Sequence, residues 1–359
     1  IRYMKVYLVG GAVRDSLLKI PFYEKDWVVV GATKEELIGK GYKQIGKEFP
    51  VFLHPETKEE YALARKERKT GTGHKAFSFE FDKSVSLEED LERRDITINA
   101  IAQDKKGNLI DPFKGQEDLK NKIIRRVSDA FKEDPLRVLR VARFAAKLNG
   151  HGFKVDEDTM EEIQKIVSSG ELTTLSRERI WMETYKALTT DNPEVYFKVI
   201  EECGALSQIC PVSQLDTRFL AKAMKTQTDP NVRWTCLVAS NSSLEDINNS
   251  FNVPKEYVEI SEVCSLIIAF KKLGSVNVED IIELADKTDI YRKEERFLKA
   301  EKISNFCIDN NSNQNLNWNE IVKLINNIKA SSDLKEGKLI AKKLREDRLN
   351  AIQLYLSES

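Results

Sequence analysis

The sequence predicts an α+β head followed by a long all-helical remainder. Two observations point there. Short apolar runs alternate with helical patterns through the first hundred or so residues, and from about Leu87 onward helical periodicity runs almost without interruption. A third sets the scale: 359 residues, 41% hydrophobic and 32% charged, suffice for two or three packed units of ordinary globular composition.

Val6-Tyr7-Leu8-Val9 reads as a strand closed by Gly10-Gly11, with residues 12–18 as the helix that follows. Trp27 opens a second strand through Val30, and 51–53 with 61–64 suggest a hairpin. Residues 70–75, Thr-Gly-Thr-Gly-His-Lys, have turn composition. Residues 134–147 carry Leu136, Leu139, Val141, Ala142 and Ala145 at helical spacing, with Pro135 suited to a first turn. Residues 176–188 and 193–203 are further amphipathic helices, and the Asn/Ser-rich stretch 309–315 reads as a loop. The expected division is a head of residues 1–126, a helical neck of 127–205, and a helical body and tail of 206–359.

Composition excludes little else. No apolar run reaches membrane length. The five cysteines, at 203, 210, 236, 264 and 307, show no metal-ligand spacing, which fits buried thiols in a reducing cytoplasm. A net charge of −1 neither supports nor excludes a nucleic-acid partner, so RNA contacts would come from local basic patches. No P-loop lysine motif is present.

The segment from Leu8 to Asp15 is a strand, a glycine turn and a helix start bearing Arg14. Gly10 and Gly11 would let the backbone approach a triphosphate, and Arg14 could add a fork of donors. Such turns are mostly structural when they stand alone. Glu24-Lys25-Asp26 opens the Trp27 strand, where carboxylates at i and i+2 would face one side and could hold one or two Mg²⁺ ions against a nucleotide. An isolated acid-x-acid pair is more often plain surface. Glu60 is the candidate third carboxylate, with Glu59 and Glu67 as competitors.

Together these residues resemble the nucleotidyltransferase signature of the DNA polymerase β superfamily. Arg93 to Ala100, RRDITINA, is similar to the RRDxTxNA motif of class II tRNA nucleotidyltransferases and bacterial poly(A) polymerases. Glu133-Asp134-Pro135-Leu136-Arg137 is similar to their EDxxR motif, continuing into Arg140 and Arg143. Residues 172–183, LTTLSRERIWME, look like the helix that buttresses that site, and 49–67 resemble the CCA-adding branch of gamma-proteobacterial type. The resemblance covers roughly the first half of the chain. It implies a polymerase-β-like catalytic sheet, Mg²⁺ as cofactor, CTP, ATP and the tRNA 3′ end as partners, and addition of CCA without a nucleic-acid template. It also implies nucleotide contacts at Arg94, Arg140 and Arg143, with Asp95 and Asn99 orienting the ribose and the catalytic helix.

The EDxxR motif has its own logic. Asp134 and Arg137, three apart on a predicted helix, would project from one face, one accepting and one donating. Cytosine and adenine present an amine beside an acceptor nitrogen, whereas uracil and guanine present the reverse. One Asp/Arg pair can therefore accept CTP and ATP and reject UTP and GTP. A surface ion pair is the plain alternative.

Two departures stand out. Glu24 occupies the first place of the usual D-x-D pair, one methylene longer. Relatives of the type it resembles carry a C-terminal HD-type phosphohydrolase, yet His54, His74 and His151 all lie in the first half, and VRWTCLVAS (232–240) stands where the motif would fall. The reading is that phosphohydrolase activity is absent and that the helical tail grips tRNA, with the basic residues of 338–348 as candidate phosphate contacts. A-adding or CC-adding enzymes and poly(A) polymerases share these motifs and remain open, with specificity expected to depend on the loop at 66–81; a non-catalytic tRNA-binding protein is the alternative outside the enzyme class.

Overall fold

A computed structural model describes residues 4–45, 51–69, 77–80, 83–308, 316–330 and 337–358; the predicted loops at 70–75 and 309–315 lie outside them. The first apolar run forms β1 (Lys5–Val9), and the chain turns at Gly10 into α1 (Gly11–Leu17). β2 (Asp26–Val30), α2 (Lys34–Gly39), β3 (Lys43–Ile45), β4 (Val51–Leu53) and β5 (Glu60–Leu63) follow. A ribbon of β6 (Lys66–Lys69) and β7 (Phe77–Glu80) forms a sheet of its own. α3 (Leu87–Glu92) starts on a capping box in which Ser86 accepts from the Glu89 amide and Glu89 accepts from that of Ser86. β8 (Ala102–Gln103), β9 (Leu109–Ile110) and α4 (Gly115–Asn121) complete the head.

The main sheet runs β3-β4-β5-β2-β1-β8-β9. β1 pairs antiparallel with β2 and β8, β2 and β5 run parallel, and β4–β5 is the predicted antiparallel hairpin. Alternation along the strands splits the core in two. Val9, Val28 and Ala102 pack with Val85 and Leu91 on one face, while Val29, Phe52, Tyr61 and Leu63 pack with Leu37 on the other. The expectation of nearly unbroken helix beyond Leu87 is corrected by β8, β9, β10 (Ile123–Ile124) and β11 (Lys154–Val155). Two-residue strands are too short to leave a periodic signal.

The chain divides into two compact units, Ile1–Ile209 and Cys210–Ser359. In the first, α5 (Leu136–Leu148) is the central helix, nearly all of it buried, and it packs on α7 (Arg177–Leu188) and α8 (Pro193–Glu202). α6 (Glu157–Ser168) and α9 (Leu206–Ile209) complete it.

The second unit is all helix: α10 (Arg218–Ala223), α11 (Pro230–Val238), α12 (Leu244–Ser250), α13 (Lys255–Lys271), α14 (Val278–Thr288), α15 (Glu294–Ser304), α16 (Trp318–Asn327) and α17 (Gly337–Glu358). Its core centres on Trp318, which meets Phe270 and Phe297 edge-on. The VRWTCLVAS stretch falls in and just after α11, with Val232, Trp234 and Cys236 buried. All five cysteines are buried. Within the basic stretch of α17, Arg345 pairs with Glu279 and Asp286, and Arg348 lies over the ring of Tyr291. Among the described residues no helix is long and apolar enough to cross a membrane.

Candidate active site

The turn between β1 and α1 depends on Gly10, whose φ of 73° disfavours any side chain. A Cβ there would stand 3.3 Å from Nη1 of Arg94 and 3.9 Å from Oδ2 of Asp26. The guanidinium and the carboxylate both come up to the turn, the Arg94 end so closely that a side chain at position 10 would crowd it. Register explains Asp26: it pairs with Val9, the last residue of β1, and with Glu60, the first of β5. Directly paired residues project to the same face, so Asp26 and Glu60 stand side by side at one end of the sheet.

Glu24 does not lie on β2, which begins at Asp26. The same-face argument from strand alternation therefore fails, and what joins the two acids is electrostatic. Crowding by protein and the like charge of Glu24 push the Asp26 carboxyl above its ordinary range, against the pull of Arg94. Glu24, Asp26 and Glu60 are all exposed. Glu59 is already engaged, accepting from Trp27 Nε1 at 2.9 Å and pairing with Lys25 at 3.2 Å. Glu67 lies on β6, a strand of the separate ribbon. Among the described residues no three acidic, histidine or cysteine side chains converge closely enough to hold one ion. Glu60 is thus a neighbour of Asp26 rather than part of an assembled three-ligand cage.

Behind this end lies a network of buried charge. Asp90, fully buried, holds Arg93 at 2.8 Å and Arg94 at 3.2 Å. Asp95 accepts from Asn99 at 3.2 Å and from both Nε and Nη2 of Arg140 at 2.7 Å. Burial opposes its ionisation, but the Arg140 guanidinium prevails and holds the carboxyl far below the usual carboxylate range. Arg143 donates to Glu183 at 2.5 Å, and Glu183 also faces Arg140 at 3.9 Å. Arg14 is 2% exposed and spends its donors on Asp15 and Asn99, both at 2.7 Å. Lys147 closes the network on Asp15 at 2.9 Å. Arg14, Arg140 and Arg143 all crowd the ring of Phe144.

These bonds show what the expected nucleotide-contacting residues touch within the protein. Arg14 is buried, bonded through Nε and Nη1, with Nη2 turned toward Gly11. Arg140 and Arg143 are paired with Asp95 and Glu183 rather than standing as a free basic stripe. Asp95 and Asn99 belong to the same lattice. The turn that carries Asn99 also rests on Gly115, where a Cβ would run into the Thr97 carbonyl and Ile101. Arg94 differs: one Nη faces Gly10, the other binds Asp90, and its buried Nε has no partner among the described residues.

Asp134 and Arg137 do not share a helical face. Asp134 sits in extended backbone (φ −120°, ψ 109°) ahead of Pro135 and α5. Its Oδ1 accepts from the Leu136 amide at 3.0 Å and its Oδ2 from Arg179 Nη2 at 2.8 Å. Arg137 is 6% exposed and donates to the carbonyls of Ala130 at 2.5 Å and Arg93 at 2.6 Å. Those two residues line a cleft of about 640 Å³, together with Lys66, Arg126, Ser128 and Glu133. The cleft abuts Arg137; Gly10, Glu24 and Asp26 do not line it. Arg179 and Glu183 lie in the stretch 172–183 expected to buttress the site; residue type alone does not single them out, although their spacing of four on α7 puts both on one face.

Comparison with known proteins supplies the context. Residues 6–125 match the family described as the poly A polymerase head domain, and 152–214 the probable RNA and SrmB-binding site of polymerase A. A CCA-adding enzyme of Coxiella burnetii is 43% identical, aligned over 99% of this chain and 97% of that protein. One from Pseudomonas putida is 45% identical over 82% of this chain and 81% of its own length. A solved structure of a CCA-adding enzyme with CTP superposes with a TM-score of 0.69 over 97% of this chain and 86% of that one; at 18% identity it speaks for the fold.

Proposed function

Because the chain belongs to the family of CCA-adding enzymes, we propose that it adds C, C and A to tRNA 3′ ends from CTP and ATP, without a nucleic-acid template. The observation that carries this reading is the convergence of Asp26 and Arg94 on the Gly10 turn. It brings a carboxylate, a cation and a side-chain-free stretch of backbone to one point, which is what a metal-bound triphosphate needs.

The family uses a divalent metal, and the proposal is Mg²⁺ held by Glu24 and Asp26. Their oxygens suit a hard cation, which commonly completes its shell with substrate phosphates rather than a protein cage. When bound, the metal would lower the pKa of the tRNA 3′-hydroxyl and neutralise the leaving pyrophosphate. Gly10, Gly11 and Arg94 receive the triphosphate, and Glu60 stands beside Asp26 as an auxiliary carboxylate. Asp134 accepts from the base amine while Arg137 presents the donor edge. Arg14, Asp95, Asn99, Arg140 and Arg143 complete the nucleotide site, and their bonds to one another and to Glu183 hold it in place. In this reading residues 1–126 form the catalytic head, 127–205 the base-reading neck and 206–359 the part that grips tRNA, at work in the cytoplasm.

The test is incorporation of labelled CTP alone, ATP alone, and both into tRNA lacking CCA, with Mg²⁺. Full addition should need both nucleotides and stop after three residues. Product with CTP alone that ATP never extends, or ATP addition only to tRNA already ending in CC, would reassign the enzyme to partial addition. Long A tracts would make it a poly(A) polymerase.

A further inference from the structure

We infer that Arg179 is a specificity-determining positioning residue, setting the orientation of the Asp134 carboxylate and through it the rejection of UTP. The inference rests on Asp134 reading the base, as proposed above.

Arg179 occupies the third position of α7, where its amide bonds the Ser176 cap. That is a poor place for a cation by local rules. The helix N-terminus carries partial positive charge, and the third position of a capping box calls for Glu or Gln. Its reason for being there is tertiary: the 2.8 Å bond from Nη2 to Asp134 Oδ2, across 45 residues of sequence. The two side chains are 21% and 24% exposed, so neither is free to wander nor sealed from a ligand.

Asp134 needs such a partner. Its backbone is restricted by the following proline, and the Leu136 amide fixes only Oδ1. With one bond to each oxygen the carboxylate plane is set. Each oxygen still keeps an acceptor site for an incoming amine, since an ionised carboxylate accepts about four hydrogen bonds. Remove Arg179, and the side chain can rotate toward solvent about its remaining anchor. The acceptor aimed at the amine of cytosine or adenine is then lost, and so is the acceptor that repels the carbonyl of uracil. Arg179 thus acts on the choice of base, through Asp134 and without contact to the nucleotide.

The test measures kcat/KM for CTP and UTP separately on tRNA lacking CCA, in wild type, Arg179→Gln, Arg179→Lys and Asp134→Ala. Arg179→Gln should lower the CTP-to-UTP ratio about tenfold, mostly by losing CTP. Arg179→Lys should recover most of the ratio, because the observed contact is a single bond that an ammonium can replace. The double variant Arg179→Gln/Asp134→Ala should match Asp134→Ala in ratio. If Asp134→Ala shifts the ratio but Arg179→Gln lowers CTP and UTP equally, Arg179 merely props the fold and this inference fails alone. An unchanged ratio in Asp134→Ala sinks the base-reading proposal itself. Thermal melts identify unfolding, and should Arg179→Gln not fold, failure of a folded Arg179→Lys to keep the wild-type ratio would overturn the inference.

Discussion

At the end of the sheet, Glu24, Asp26 and Glu60 stand exposed, and among the described residues no hydrogen bond or ion pair ends on their carboxylates. Around Asp95 the opposite holds. Asp95, Glu183 and Arg14 are almost wholly buried, and each is bonded to at least one partner of opposite charge or to an amide. The first group keeps its carboxylates crowded and uncommitted, and Asp26 is raised above its ordinary pKa as a result. The second group pairs its charges so completely that Asp95 is driven the other way. The contrast teaches that the exposed carboxylates at the sheet end are left without protein partners while buried charge is satisfied by them, and that a protein partner alone does not mark scaffold, since Arg94 and Asp134 each have one.

The strongest way to break this comparison is to remove one member from each side. Asp26→Ala should cut nucleotide addition at least about a thousandfold, near 4 kcal/mol of barrier, while tRNA affinity stays within a few-fold. Equal loss of both in a folded variant would remove Asp26 from the substrate-facing set. Asp95→Ala should act on stability instead, costing about 3 kcal/mol in urea unfolding because Arg140 is left facing Glu183 from 3.9 Å with no close partner. A cost under about 0.5 kcal/mol would show that the lattice is not holding the fold.

Acid sharpens the contrast by sign. Asp15, Asp90 and Asp95 are all lowered in the folded state, so their stabilisation is complete above the unfolded carboxylate pKa of about 4 and is lost as pH falls through their folded values. The urea midpoint should therefore drop steeply below about pH 4, and less steeply in Asp95→Asn. Asp26 is raised, so its ionisation costs the fold stability once pH exceeds its folded value. Asp26→Asn should leave the melting temperature at neutral pH equal or slightly higher, and a clear drop would contradict the burial penalty and the added repulsion from Glu24.

The smallest effect belongs to Glu24→Asp. It keeps the charge outside β2, where no strand geometry demands a particular length, so activity should stay within about tenfold of wild type or rise. A greater loss would mean that the site is built around the longer side chain.

Much of this was legible from local patterns. β1, Gly10, α1, β2 and the β4–β5 hairpin follow from apolar runs and turn residues, because strand alternation and glycine conformations are set within a few residues. The motif residues were found by type and order, and the family with them. Their partners were not. That Arg14 is a strut, that Arg140 and Arg143 end on Asp95 and Glu183, and that Asp134 is held by Arg179 rather than aligned with Arg137 are facts of pairing across 40 to 85 residues. A charged side chain carries the same identity whether it meets solvent, substrate or a buried counter-charge. Which of these it meets is decided by how α5 and α7 pack and how the head closes on them, because burial makes an unpaired charge too costly to leave alone and so selects the partner.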